Sequence, residues 1–128
     1  MRLFLPEWAR PTGRLSSSQI FKCGGSGSYA KTKDTVTHIS SPTLPAGSFP
    51  GGETGFFTVP SEKGSMLVMV SDGVSSSETS RMPWIKNMIN DYDGNEPEAL
   101  AQMILSHAKN LSGNDIADDL TILAAYIG

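Results

Sequence analysis

The chain has 128 residues, a formal net charge of −3 at pH 7, 38% hydrophobic and 18% charged residues. This is too apolar for a disordered chain, and no run approaches the roughly 20 apolar residues that a transmembrane helix needs. Net acidity argues against nucleic acid as the main partner. The charge is uneven: residues 1–60 carry six basic and three acidic side chains, residues 61–128 four and ten. Acid therefore gathers in the C-terminal half, where a metal site could use it. Met1–Glu7 has a short apolar touch without a long apolar core or a small-residue cleavage site, so no signal peptide is expected. A single cysteine, Cys23, forms no internal disulfide and fits a reducing, cytoplasmic setting.

In chain order, residues 1–18 read as an irregular arm, broken by Pro6, Pro11, Gly13 and Ser16–Ser18, and residues 19–128 as one domain. Gln19–Cys23 reads as a strand. Ser28–Lys31 and Thr35–Ile39 form an expected hairpin turning at Lys33-Asp34. Residues 40–55, with three prolines and four glycines, form a long loop. Gly55–Val59 and Met66–Val70 follow as strands around a turn at Ser61–Ser65. Met66–Val70 is apolar throughout, as expected of a strand buried on both faces. Two amphipathic helices come next, one carrying Ile85, Met88, Ile89 and Tyr92, the other Leu100, Met103, Ile104, His107, Ala108 and Leu111. Pro97 sits in the first turn of the second and Gly113 past its end. Leu120–Ile127 closes the chain as an apolar strand. The expected class is α+β.

Two features carry chemistry. The strand Met66–Val70 runs directly into Ser71-Asp72-Gly73-Val74, and Asp118-Asp119 directly precedes the last strand. If these strands are antiparallel neighbours, all three acids gather at one edge of the sheet. Clustered oxygen ligands suit hard cations such as Mg2+ or Mn2+. Gly73 would let the backbone bend and bring its carbonyl near an ion or its water. The competing interpretation is an Asp-Gly turn and a solvated Asp-Asp loop.

Leu67–Val74, followed after the helices by Asp118-Asp119-Leu120-Thr121-Ile122-Leu123, resembles the C-terminal half of the metal-dependent protein phosphatases (PPM family). Within them it is most similar to the bacterial branch typified by stage II sporulation protein E. That pattern is an S-D-G-V strand end, two helices, then D-D-M-T-V opening the last strand. Ser41–Gly47 resembles the branch's S-x-x-L-P-x-G loop, and Phe21–Gly25 sits where the branch has a strand followed by G-A or G-G. The resemblance covers about residues 19–128.

It implies part of a β-sandwich with helices outside, hydrolysing phosphoserine or phosphothreonine on a regulatory protein of the anti-sigma-factor-antagonist type. Two Mn2+ or Mg2+ ions would share a water at one sandwich edge, lowering its pKa and offsetting phosphoryl charge. By position, Asp72 and Asp118 match metal-ligating, catalytic aspartates. Gly73 would offer its carbonyl, and Asp119 would orient a ligand or a bound water. The family's G-D-G-M-G motif, which supplies a further metal aspartate, is absent from these residues. Asp34, without flanking glycines, is the only aspartate before Asp72. The chain alone is therefore expected to be inactive, and to self-associate through exposed strand edges. The alternatives are a non-catalytic regulatory or binding module that keeps the half-fold, and a plain one-ion domain.

Other signals are set aside. Gly25–Ala30 fits G-x-G-x-x-A, but a turn and a β-rich piece follow it where a dinucleotide loop opens a helix. Asp91–Asn95 starts like a calcium loop, but Glu96 and Gln102 stand where that loop needs Gly and Glu. His107, Trp84 and Met88 read as packing residues, Cys23 as a small strand residue, and Ser75–Ser77 as a solvated loop.

Overall fold

The computed structural model describes residues 17–41, 43–79, 81–113 and 119–128. Six strands and three helices follow in the order β1 (Ser17–Lys22), β2 (Ser28–Lys31), β3 (Val36–Ile39), β4 (Gly55–Pro60), β5 (Met66–Val70), α1 (Asp72–Ser75), α2 (Trp84–Asp91), α3 (Pro97–Ser112) and β6 (Ile122–Tyr126). β1 begins at Ser17, inside the stretch read as an arm. The helix α1 is an addition to the two expected: Asp72-Gly73 opens a single helical turn instead of a reverse turn.

All strand pairs are antiparallel. β1 and β4 form a two-stranded sheet, and the others a four-stranded sheet in the order β3-β2-β5-β6. The expected β2–β3 hairpin is present, closed by Thr32 N–H donating to the Thr35 carbonyl at 2.9 Å. β4 and β5 are consecutive but lie in different sheets, so residues 61–65 carry the chain from one layer to the other.

Period-two alternation builds the layers. Along β5, Leu67 and Met69 face the small sheet, meeting Ile20 of β1, Val59 of β4, Ala30 of β2 and Ile39 of β3. Met66, Val68 and Val70 face the opposite way, onto Ile85 and Ile89 of α2 and Leu100, Ile104 and Ala108 of α3. A strand buried on both faces has no solvent side for polar residues, which is why β5 is apolar throughout. The molecule is thus an α+β sandwich, small sheet on large sheet, with helices on the outer face of the large one.

The helical stripes bury unevenly. Ile85, Ile89, Leu100, Ile104 and Ala108 are fully enclosed, whereas Met103 and Leu111 remain 46% and 49% exposed. These two flank the stripe and do not join the core. Trp84 is buried and tilts against the half-buried His107 with ring centroids 4.6 Å apart, so both act in packing, as expected. Among the described residues no helix is long and apolar enough to cross a membrane.

Candidate metal edge

The β5–β6 register decides where the acids go. Val70 pairs with Ile122 at the end of the ladder. Asp72 follows β5 by two residues and Asp119 precedes β6 by three, so the two lie at the same edge of the sheet, as the antiparallel arrangement requires. The ladder is prolonged past its last pair by Ser71. Its N–H donates to the Thr121 carbonyl at 2.9 Å, its hydroxyl donates to the Asp119 carbonyl at 2.9 Å, and the same hydroxyl oxygen accepts from Thr121 N–H at 2.9 Å. One serine thus clasps the backbone leading into β6 against the end of β5.

Gly73 completes the clasp for a reason different from the one expected. Its φ is not positive, so the backbone needs no glycine for conformational freedom. A Cβ at position 73 would instead lie 2.5 Å from the Asp119 carbonyl oxygen. Glycine is required by the close approach of the neighbouring segment. The Gly73 carbonyl, the expected ligand, accepts from the Ser76 hydroxyl at 3.1 Å. Ser75 and Ser77 hydroxyls likewise donate to carbonyls three residues back, those of Asp72 and Val74, so the serine run tightens α1 and its exit instead of forming a solvated loop.

Asp72 is exposed, and its Oδ1 accepts a hydrogen bond from the Ser26 hydroxyl. Ser26 lies on the loop joining β1 to β2, which crosses between the sheets. Beneath that loop Lys22, only 8% exposed, donates from Nζ to the Ser26 carbonyl at 2.5 Å, the Ser28 hydroxyl at 3.2 Å and the Ile39 carbonyl at 3.2 Å. Burial lowers the Lys22 pKa from its ordinary 10.5. Gly24, at φ 63°, lies so close to the Ser41–Gly47 loop that a Cβ there would stand 2.5 Å from Pro45 N. The Thr43 hydroxyl fastens the same approach, accepting from Gly24 N–H at 2.8 Å. The two loops that carry the resemblance are therefore one packed unit.

A cleft of about 470 Å³ opens beside this edge, lined by Ser26, Tyr29, His38, Ser75 and Glu78 among others. Tyr29 is 1% exposed and stacks on His38 at 4.8 Å between centroids. Its hydroxyl donates to Glu78 Oε1 at 3.1 Å, and Glu78 Oε2 accepts from Ile85 N–H at 2.7 Å. Burial first, and the Glu78 charge and hydrogen bond second, push the Tyr29 hydroxyl well above its ordinary 10.0.

Of the residues expected at the site, Asp72, Gly73 and Asp119 are brought together, and Asp118 lies outside the described residues. The donors present are all oxygens, which fits a hard divalent cation in kind. In number they fall short: among the described residues no three His, Cys, Asp or Glu side chains are grouped to hold a metal. Sequence reasoning passed over Ser26, Ser71 and Lys22. Lys22 shares the inward phase of β1 with Ile20, and a lysine in that phase is a signal that something is bonded beneath it.

Solved structures share this architecture. A PP2C phosphatase domain with a fragment of the regulatory domain of the cell fate determinant SpoIIE from Bacillus subtilis superposes with a TM-score of 0.75 at 23% identity, over 87% of this chain and 34% of that one. The Mn-presoaked phosphatase domain of the same determinant gives 0.69 at 21% identity, over 92% and 60%. The fold is that of part of a PP2C phosphatase domain. The family model for stage II sporulation protein E (SpoIIE) matches residues 16–127, and the chain belongs to that family. The stage II sporulation protein E of Priestia megaterium is 29% identical over 112 residues, which are 84% of this chain and 19% of that protein. The chain thus spans about a fifth of that relative's length.

Proposed function

We propose that this chain supplies one side of the metal centre of a Mn2+- or Mg2+-dependent protein serine/threonine phosphatase acting on a phosphorylated regulatory protein. The observation that carries the reading is the Ser71 clasp, which holds Asp72 and the Asp119 backbone at one sheet edge inside a PP2C fold. Asp72 and Asp118 would hold the ion, Asp119 would orient a ligand or water, and the cleft beside Ser26 and Ser75 would admit the substrate. When bound, the metal would supply an activated water near neutral pH and offset charge on the phosphoryl oxygens. The chain's own part is to fix the Asp72 carboxylate before the ion arrives, so that binding does not spend free energy on ordering it.

A second reading has its own observation. The G-D-G-M-G motif is absent from these 128 residues, and no three-ligand group forms among the described ones. That favours a regulatory or binding module when the chain acts alone, with a further carboxylate needed from elsewhere for catalysis. The two separate in one assay. Hydrolysis of a phosphoserine peptide is followed with Mn2+, with Mg2+ and with chelator, beside Asp72→Asn. The phosphatase reading expects metal-dependent phosphate release that Asp72→Asn abolishes. Release that survives Asp72→Asn would contradict it. No release from either protein would favour the binding module.

A further inference from the structure

Lys22 makes no ion pair in the contacts described for it. Its three N–H donors meet three neutral acceptors, the Ser26 carbonyl, the Ser28 hydroxyl and the Ile39 carbonyl, so the ammonium is fully satisfied. Burying a charge without an opposite charge is costly. An apolar residue in the same inward phase would avoid that cost, so the lysine needs another role. Its contacts supply one. They tie β1, the start of β2 and the end of β3 to the carbonyl of the residue whose hydroxyl holds Asp72. Ser26 is gripped at its carbonyl by Lys22 and grips Asp72 with its side chain, within a loop in which two of the three glycines, Gly24 and Gly25, have positive φ.

We propose that Lys22 is a positioning residue for Asp72, acting through Ser26 to hold the carboxylate in a single rotamer at the sheet edge. Its functional meaning rests on the reading of Asp72 as a metal ligand; the positioning itself does not. Asp72 is exposed and follows a strand by two residues, so on its own it would sample several staggered rotamers. With Ser26 anchored from beneath at its carbonyl and its hydroxyl on Asp72, one rotamer is selected.

The test is the three-bond coupling that reports Asp72 χ1, measured by NMR on the full chain without metal. The wild type is expected to show one rotamer, and Ser26→Ala and Lys22→Met averaged couplings. Ser26→Thr, which keeps the hydroxyl, should restore the single rotamer. If Lys22→Met does not fold, Lys22→Gln takes its place: it keeps a donor but is one atom shorter. A single Asp72 rotamer retained in Ser26→Ala, or in either folded Lys22 variant, would overturn the proposal. Mn2+ titration then separates the two claims. Affinity should fall roughly tenfold in Ser26→Ala, as for removal of a ligand-orienting partner. A locked rotamer with no Mn2+ binding in the wild type would sink the metal reading and leave the positioning intact.

Discussion

At the scale of single residues, the edge depends on atoms that are missing as much as on those present. Gly73→Ala would drive a methyl group into the Asp119 carbonyl. Neither α1 nor the segment leading into β6 can yield without disturbing the Ser71 clasp. The substitution should cost about 1–3 kcal/mol, the usual range for overpacking, in urea unfolding. The Asp-Gly pair was legible in the sequence as the end of a strand, and the oxygen donors at that end were legible with it. The cause of the glycine was not, because it lies in a backbone carbonyl that only the β5–β6 register brings near. Tyr29 gives a second residue-level prediction. Its pKa is raised in the folded state, so its contribution is fully present below pH 10.0 and is lost as pH climbs towards the folded value. Lys22 works in the other sense: with a lowered folded pKa it lets stability rise as pH approaches 10.5. Denaturant unfolding at alkaline pH should therefore show Tyr29→Phe losing less stability than wild type above pH 10.0.

At the scale of elements, pairing follows burial more than adjacency. The hairpin β2–β3 was legible because a short polar turn joins two strands that share a sheet. β4 and β5 look equally like a hairpin, yet they part into different sheets. Val59 and Leu67 meet across the sandwich instead of along a ladder. Turn chemistry at residues 61–65 does not encode that choice; the burial of β5 on both faces does. The same logic locates the clasp. Ser71→Ala removes one acceptor and one donor at the end of the β5–β6 ladder. At roughly 0.5–1.5 kcal/mol per net hydrogen bond, the loss should be about 1–3 kcal/mol. Hydrogen exchange at the Thr121 amide should quicken more than at Ala124, which pairs with Val68 within the ladder. On the helical side, Ile104→Ala should cost about 2–5 kcal/mol, because Ile104 is fully enclosed between α3 and the sheet. Met103→Ala, beside it but largely exposed, should change stability little.

At the scale of the whole molecule, the two sheets are covered on one outer face only. The helices α2 and α3 cover the large sheet. On the small sheet Phe21 and Phe56 form an edge-to-face pair, ring centroids 5.0 Å apart, 67% and 53% exposed. Both of that sheet's strands are edges among the described residues, and we propose that a second copy of the chain occupies this face. Phe21→Thr with Phe56→Thr should weaken concentration-dependent association in sedimentation velocity while leaving the fold in place. The acid edge lies at the C-terminal end of β5, and the account stands or falls on whether it is a metal edge. The most direct measurement is Mn2+ titration of the labelled full chain, reading paramagnetic broadening residue by residue. Broadening that starts at Ser71–Gly73 and Asp119–Thr121, and disappears in Asp72→Asn, is the predicted result. Broadening confined to other acids, such as Asp91 at the end of α2 and Asp93 just after it, or none at the β5–β6 edge, would contradict it.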